Sequence, residues 1–342
     1  MIAMNPNVIG RLAPSPTGAQ HLGNARTYLI AWLAARSVGG QVILRIEDID
    51  SPRVKPWAIQ QAMDDLAWLG LDWDIGPDCS AAEESNPIAY VQTQHLERYR
   101  DGLEMLRRAE MIYPCTCSRK DVEQAASAPH RVEGESPWID GPVYSGHCRE
   151  RTSHDLELLK DEAYAWRFRC DSGVIHWEDG FCGPQSLDAA NYLGDFVVGK
   201  KDGWPAYQLA VVMDDHDMKV TMVVRGNDLI PSTYRQRMLF RFFGWEPPHY
   251  FHVPLVVGID GKRLAKRHGD TRIATFRDRG VAAAAIIGWL AFGCGWISEY
   301  QPITPRELVP LFQWRSIPRQ NLVCPSDIFD FSRELPRFEN NP

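Results

Sequence analysis

Two apolar runs separated by a loop and a helix constrain this chain before anything else does. The short run "NVIG" leads into "RLAPSPTGAQHLGN", a loop with two prolines and two glycines. "ARTYLIAWLAARSVGG" then carries apolar residues at helical spacing and stops at Gly39-Gly40, and "QVILRIEDID" is apolar without alternation before it turns acidic. An unalternating run suits a central strand of a parallel sheet, covered on both faces. Strand, loop, helix, strand is the βαβ beginning of a doubly wound α/β sheet, whose ligands sit beyond the carboxyl ends of the strands.

That rule gives the opening loop and "RIEDID" one address. Arg11, Ser15, His21 and Glu47 are predicted to converge on a single crevice although they leave two different strand ends. The loop has no Walker lysine and no G-x-G-x-x-G spacing, so it is neither a P-loop nor a dinucleotide fingerprint. Read alone, His21 fits a helix cap or a core position as well as a ligand contact.

Further along, Trp57 to Leu71 and His95 to Met111 read as amphipathic helices, the second ended by Pro114. From Cys115 to about Asp195 the pattern changes to short strands and turns, including the loop "SAPHRVEGESPWIDGP", as expected of an insertion between two halves of the sheet. "AYQLAVVMDD" and "VTMVVRG" read as resumed strands, Thr233 to Phe243 as a helix, and "HVPLVVG" as another strand. The predicted division is therefore 1–112, first half of the catalytic sheet; 113–195, the insertion; 196–250, second half; and 251–342, a basic loop with a short C-terminal region.

Composition excludes some classes. With 342 residues, 44% hydrophobic and 24% charged, the chain has the makeup of a folded globular protein of two or three domains. A net charge of −7 argues against a generally basic surface, yet "KRLAKRHGDTRIATFRDR" is a local basic stripe of the kind that binds phosphates. The uncharged run Gly280 to Ser298 is interrupted by Gly288, Gly293 and Gly295, so a buried helix ending at those glycines is expected rather than a membrane span. The start of the chain has no signal-peptide pattern, and a cytoplasmic, monomeric protein is expected.

Lysines on a glycine-flanked loop after a strand suit a polyphosphate whose charge shifts during reaction. "GKRLAKRHG", paired with "HLGN", resembles the two signature loops, HIGH and KMSKS, of class I aminoacyl-tRNA synthetases. "APSPTG", "RIEDID", "GLDWD", "YPCTCSR", "GDFVV", "AYQLAVVMDD" and "VVRG", in that order, resemble the glutamyl-tRNA synthetase branch over roughly residues 8 to 335. The fold this implies is the class I doubly wound, Rossmann-like parallel sheet with an inserted zinc-bearing subdomain and a KMSKS-type loop region.

Cys115, Cys117, Tyr144 and Cys148 form C-x-C-x26-Y-x3-C. Three thiolates near one point suit a structural Zn²⁺, with a phenolate or an imidazole as fourth ligand. By residue type alone, His147 is the more natural fourth ligand and buried free cysteines are the bland alternative; the resemblance of "VYSGHC" to a family segment favours Tyr144.

The resemblance implies adenylation, in which a carboxylate of the amino acid attacks the α-phosphorus of ATP, accompanied by Mg²⁺, and pyrophosphate leaves. A carboxylate is already ionised at neutral pH, so catalysis reduces to positioning and charge neutralisation. His21 and Asn24 with Lys266 are then the expected catalytic residues, and Thr17, Gly18, His21, Gly23 and Lys266 the expected ATP contacts. Arg11, Ser15, Glu47, Tyr207 and Arg225 are expected to bind glutamate, the guanidiniums taking carboxylates and Glu47 the α-ammonium.

About seventy residues follow Lys266, so no anticodon-binding domain is expected. That short architecture resembles the glutamyl-queuosine tRNA(Asp) synthetases, shortened paralogues that activate glutamate without tRNA and transfer it to queuosine in the anticodon loop of tRNA(Asp). A minimal glutamyl-tRNA synthetase charging the terminal adenosine, and a catalytically silent binding module, are the alternatives. The basic motif departs from the family pattern, reading Arg263-Leu-Ala265-Lys266-Arg267, which keeps the charge and loses a hydroxyl.

Overall fold

The computed structural model describes residues 7–16, 19–49, 54, 56–78, 90–126, 142–159, 162–262, 264 and 271–325. Strand β1 (Ile9–Leu12), helix α1 (Leu22–Arg36) and strand β2 (Gln41–Leu44) form the expected unit, with β1 and β2 parallel and Ile9 opposite Gln41. The helix buries Leu22, Leu29, Ile30, Trp32 and Leu33, and the Trp32 indole N–H donates to the Asp72 carbonyl at 2.9 Å.

Helices α2 (Pro56–Trp68) and α3 (Leu96–Arg108) follow, and then a strand β3 (Ile112–Cys115). After helix α4 (Arg119–Ala126), strand β4 (Ala165–Phe168) returns antiparallel to β3. A hairpin of β5 (Val174–Asp179) and β6 (Gly183–Asp188), a short helix α5 (Ala189–Tyr192) and strand β7 (Phe196–Gly199) complete this part, β7 pairing with β4. The 112–199 stretch thus carries an antiparallel sheet of its own, ordered β3-β4-β7.

"AYQLAVVMDD" is not a strand. It forms helix α6 (Tyr207–Asp217), in which Leu209 to Asp215 are all buried. A run buried all round has no polar face to reveal a period of 3.6, and its eleven residues exceed an ordinary strand. Strand β8 (Met222–Gly226), helix α7 (Ile230–Phe243) and strand β9 (His249–Val253) restore the parallel sheet, whose order is β2-β1-β8-β9. The expectation of β2 as a central strand is also corrected, because it closes one end of this ladder. Its outer edge is covered by single parallel bridges at Ile75 and Val91, and by hydrogen bonds such as Leu44 N to the Ile75 carbonyl at 2.8 Å. Coverage, not ladder position, is what its unalternating sequence records.

Pro254 breaks "HVPLVVG" into β9 and a two-residue strand β10 (Val256–Val257). Helices α8 (Ile273–Asp278), α9 (Ala283–Gly293) and α10 (Pro305–Leu308) precede strand β11 (Leu322–Val323), which pairs with β10 in parallel. Helix α9 runs through Gly288 and stops at Gly293. Side chains on one side of the sheet, including Leu12, Leu44 and Val224, pack with α1 and α9, while Ile43, Val223 and Tyr250 pack with α6 and α7. Among the described residues no helix is long and apolar enough to cross a membrane.

Candidate active site

The carboxyl ends of β1 and β8 open onto a cavity of about 580 Å³. Arg11, Ser15, His21, Gly23, Asn24, Glu47, Tyr207 and Arg225 all line it, together with Tyr28, Asp228, Val256 and Leu264. Backbone bonds join the pieces: Arg45 N donates to the Leu12 carbonyl at 2.9 Å and Glu47 N to the Pro14 carbonyl at 3.0 Å, so the end of "RIED" is stitched to the opening loop. Leu22 N donates to the Thr271 carbonyl and Ile273 N to the Gln20 carbonyl, which ties the segment after the basic loop to the same place. Thr17, Gly18 and Lys266, with the departures at Arg263 and Ala265, lie outside the described residues.

His21 closes the start of a helix. As the N-cap of α1 its Nδ1 accepts from Gly23 N at 3.1 Å, while the Asn24 side-chain oxygen accepts from His21 N at 3.2 Å, a reciprocal capping box. With Nδ1 accepting, the neutral ring carries its proton on Nε2. Gly23 is required by this folding back, since a Cβ there would lie 2.9 Å from the imidazole. The result is a helix N-terminus facing the cavity, a place that favours negative charge.

The Arg11–Glu47 side of the cavity rests on buried charges. Glu47 accepts from Arg45 at 2.8 Å, Arg45 donates to Asp215 at 2.7 Å, and Arg11 Nε lies 3.6 Å from Asp215. Arg45 also lies 3.6 Å from Asp214, whose carboxylate takes the Tyr99 hydroxyl at 2.7 Å and the Gln92 amide at 2.8 Å. Burial raises the Glu47 carboxyl, with Arg45 and Arg11 pulling it back down, and burial lowers Arg11 against the pull of Asp215. Desolvation likewise raises the Tyr207 phenol at the start of α6, keeping it a neutral donor.

Arg225 is held differently. Its Nε donates to His252 Nε2 at 3.1 Å and its Nη2 to Thr233 Oγ1 at 2.7 Å and Gln236 Oε1 at 2.8 Å. Its Nη1 is buried without a hydrogen-bond partner. A buried guanidinium nitrogen left unpaired costs free energy unless a ligand completes it. Arg45, Asp214, Asp215, His252, Thr233 and Gln236 were not singled out by sequence reasoning. The adjacent aspartates of "VVMDD" and the arginine inside an apolar run are the signals that could have found them, since charges there must be paired if buried.

The second group lies between β3 and the 142–159 segment. The sulfurs of Cys115, Cys117 and Cys148 lie within 4.8 Å of one another, and Cys117 Sγ is 3.7 Å from Cys148 Sγ. The Tyr144 hydroxyl is 3.4 Å from Cys115 Sγ and 3.7 Å from Cys117 Sγ, whereas the ring nitrogens of His147 fall outside this group. A tetrahedral zinc with Zn–S near 2.3 Å and Zn–O near 2.0 Å has edges of about 3.8 Å between sulfurs and about 3.5 Å between sulfur and oxygen. The Cys117–Cys148 edge and the edges from the Tyr144 hydroxyl to Cys115 and Cys117 fit that polyhedron. Burial raises the Cys148 thiol, but the Tyr144 hydroxyl and the backbone at Thr116 more than reverse this and bring it to about 7, within reach of the thiolate a metal needs. Arg167 lies 3.9 Å over the Tyr144 ring and donates to Cys115 Sγ at 3.2 Å, supporting the set from outside.

A parallel sheet with ligand-facing strand ends, a capped helix pointing into the cavity and the segment from Thr271 bonded beside that helix define a nucleotide-using enzyme of the class I synthetase type. The sequence model for "tRNA synthetases class I (E and Q), catalytic domain" matches residues 7–318, and the chain belongs to that family. Within it, the chain is 44% identical over 333 residues to the glutamyl-Q tRNA(Asp) synthetase of Rhodopirellula baltica, covering 94% of this chain and 97% of that protein. It is 45% identical over 323 residues to the protein of the same name from Nitratidesulfovibrio vulgaris, again covering 94% and 97%. The solved glutamate tRNA ligase of Elizabethkingia meningosepticum in complex with its amino acid superposes with a TM-score of 0.76 at 28% identity, over 93% of this chain and 67% of that longer one.

Proposed function

We propose that this chain activates L-glutamate with ATP in the absence of tRNA and transfers the glutamyl group to queuosine at the wobble position of tRNA(Asp). The observation that carries the reading is the single cavity joining two buried guanidiniums and a buried carboxylate to the N-terminus of α1. Likeness over almost the whole length to two glutamyl-Q tRNA(Asp) synthetases supports the choice of acceptor over the terminal adenosine. Intact His21 and Glu47, both on the cavity wall, speak against a silent module.

In this reading Arg11 and Arg225 take the two carboxylates of the substrate, Ser15 and Tyr207 donate hydrogen bonds, and Glu47 receives the α-ammonium. The triphosphate lies against Gly23, Asn24 and His21, whose Nε2–H donates to phosphate oxygen, with Thr17, Gly18 and Lys266 completing the cradle. The α-carboxylate of glutamate displaces pyrophosphate at the α-phosphorus, forming the acyl-adenylate, and no side chain has to remove a proton. Mg²⁺ accompanying ATP as part of the substrate would supply further charge neutralisation. Cys115, Cys117, Tyr144 and Cys148 would hold a structural zinc, which would fix the inserted module.

Glutamate-dependent ATP–pyrophosphate exchange without tRNA tests the first step, with glutamine and aspartate as controls. Transfer is then read from the sensitivity of the charged tRNA to periodate, which attacks a free terminal ribose diol. Exchange that begins only when tRNA is added, or product attached at the terminal ribose, would overturn the reading.

A further inference from the structure

The inserted hairpin reaches the amino-acid cavity through a line of three side chains. Asp179, at the end of β5, is fully buried, and its Oδ2 lies 2.6 Å from His252 Nδ1 on β9. The other oxygen of Asp179 accepts the backbone N–H groups of Phe181 at 3.0 Å, Cys182 at 2.7 Å and His252 at 3.1 Å. His252 in turn accepts the Arg225 Nε–H, and Arg225 stands on the cavity wall with Nη1 unpaired. The hairpin is pressed onto the parallel sheet to make this possible: Gly180 N donates to the Tyr250 carbonyl at 2.8 Å, and a Cβ on Gly180 would come within 2.2 Å of the Phe251 ring.

We propose that Asp179 and His252 are positioning residues that lock Arg225 by its Nε edge, so that Nη1 is presented to a substrate carboxylate, and that the inserted hairpin thereby sets the affinity for the amino acid. The inference rests on the glutamate-activating function proposed above. Its logic is one of tautomers. A carboxylate at Nδ1 can only accept, so the imidazole proton sits on Nδ1 and Nε2 is left as a lone pair, the one form that can take the Arg225 Nε–H. Burial holds the ring neutral, lowering it to about 4 against the opposing pull of Asp179. Thr233 and Gln236 fix the neighbouring Nη2, so two of the three guanidinium nitrogens are committed to protein and one remains for ligand.

Asp179→Asn is the decisive change, because it is nearly isosteric. The amide oxygen can keep the three backbone N–H groups, but its NH₂ then faces Nδ1, which must become the acceptor. The proton moves to Nε2, where it meets the Arg225 Nε–H donor to donor and can turn only to Thr233 Oγ1, 3.0 Å away and already accepting from Arg225 Nη2. Losing a hydrogen bond to a charged group is expected to raise the KM for glutamate in ATP–pyrophosphate exchange about ten- to a hundred-fold, with the KM for ATP within about twofold and kcat changed less than the glutamate KM. In a His252→Gln background the side-chain oxygen accepts from Arg225 whatever stands at 179, so adding Asp179→Asn there is expected to cost less than about threefold.

A glutamate KM that stays within about threefold in the single variant, or an equal penalty in both backgrounds, would overturn the proposal, the second by showing that Asp179 acts through the hairpin backbone alone. Imidazole ¹⁵N NMR of the unmutated protein, with the His252 signal assigned from His252→Gln, gives a readout that needs no activity. A proton on Nδ1 is expected; one on Nε2 would overturn the proposal even if exchange is robust. Absence of glutamate-dependent exchange in the unmutated protein alongside an Nδ1 proton would instead overturn the functional reading and, with it, the role given to the hairpin.

Discussion

Replacing Arg45 by methionine asks how much the buried charge cluster depends on its central cation. Arg45 has no solvent exposure, donates to Glu47 at 2.8 Å and Asp215 at 2.7 Å, and lies 3.6 Å from Asp214. Methionine fills a similar volume but leaves Glu47 and Asp215 without that partner. Breaking a buried ion pair by removing one side typically costs about 3–5 kcal/mol. With an unfolding entropy of about 2.1 cal/mol/K per residue, the chain's 342 residues give about 0.7 kcal/mol/K, so thermal denaturation at pH 7 is expected to fall by about 4–7 °C. The pH dependence has a definite sign. Burial already raises the Glu47 carboxyl above its ordinary value and Arg45 opposes this, so the variant raises it further. A carboxyl with a raised folded pKa contributes its stability below the unfolded value and loses it as pH rises through the folded one, so the deficit is expected to shrink from pH 7 towards pH 5. A melting shift under about 2 °C at pH 7, or a deficit that grows on acidification, would refute the account of Arg45 as the cation that keeps these carboxylates buried.

Three further outcomes follow from the geometry. His21→Ala removes the α1 cap and the Nε2–H donor, and is expected to cost about 1 kcal/mol by denaturant titration and about a hundred-fold or more in exchange rate; loss of stability with an unchanged rate would leave His21 a cap only. Gly23→Ala puts a methyl 2.9 Å from the His21 ring and is expected to destabilise by about 1–3 kcal/mol while raising the KM for ATP, as measured by melting and steady-state exchange. Cys148→Ser is expected to reduce bound zinc, measured by elemental analysis of the purified protein, from about one equivalent to well below it, and a full equivalent retained would remove Cys148 from the ligand set.

How much of this could be read in advance depended on where the information lies in the chain. Arg11, Ser15, His21 and Glu47 were legible because βαβ topology puts strand ends together whatever the side chains do, and the cavity gathers those four. Helix α6 was misread because uniform burial erases periodicity. That misreading also hid Asp214 and Asp215, which a strand would have placed on opposite faces and the helix places beside Arg45. Nothing in local spacing links Asp179 to His252, 73 residues away, since their meeting depends on the hairpin docking on β9. Of the fourth-ligand alternatives, four residues of spacing from Tyr144 to Cys148 could not decide between phenol and imidazole, because it is the turn at 147–150 that leaves His147 outside the sulfur group while the Tyr144 hydroxyl lies 3.4 Å from Cys115 Sγ.

The pairing of β10 with β11 has a consequence for how this protein is made. Leu255 and Val256 form part of the cavity wall, yet the groups that brace them are supplied by Asn321 to Cys324: the Asn321 side-chain oxygen accepts from Leu255 N at 2.9 Å, Leu322 N donates to the Leu255 carbonyl at 2.9 Å, and Cys324 N donates to the Val257 carbonyl at 2.8 Å. Synthesis runs from the amino end, so a pocket begun by Arg11 waits through more than three hundred residues for its last wall. Released chains ending before Asn321 are expected to be cut by protease around 254–258, and chains ending after Pro325 to resist; equal resistance would mean that the wall stands without its late strand.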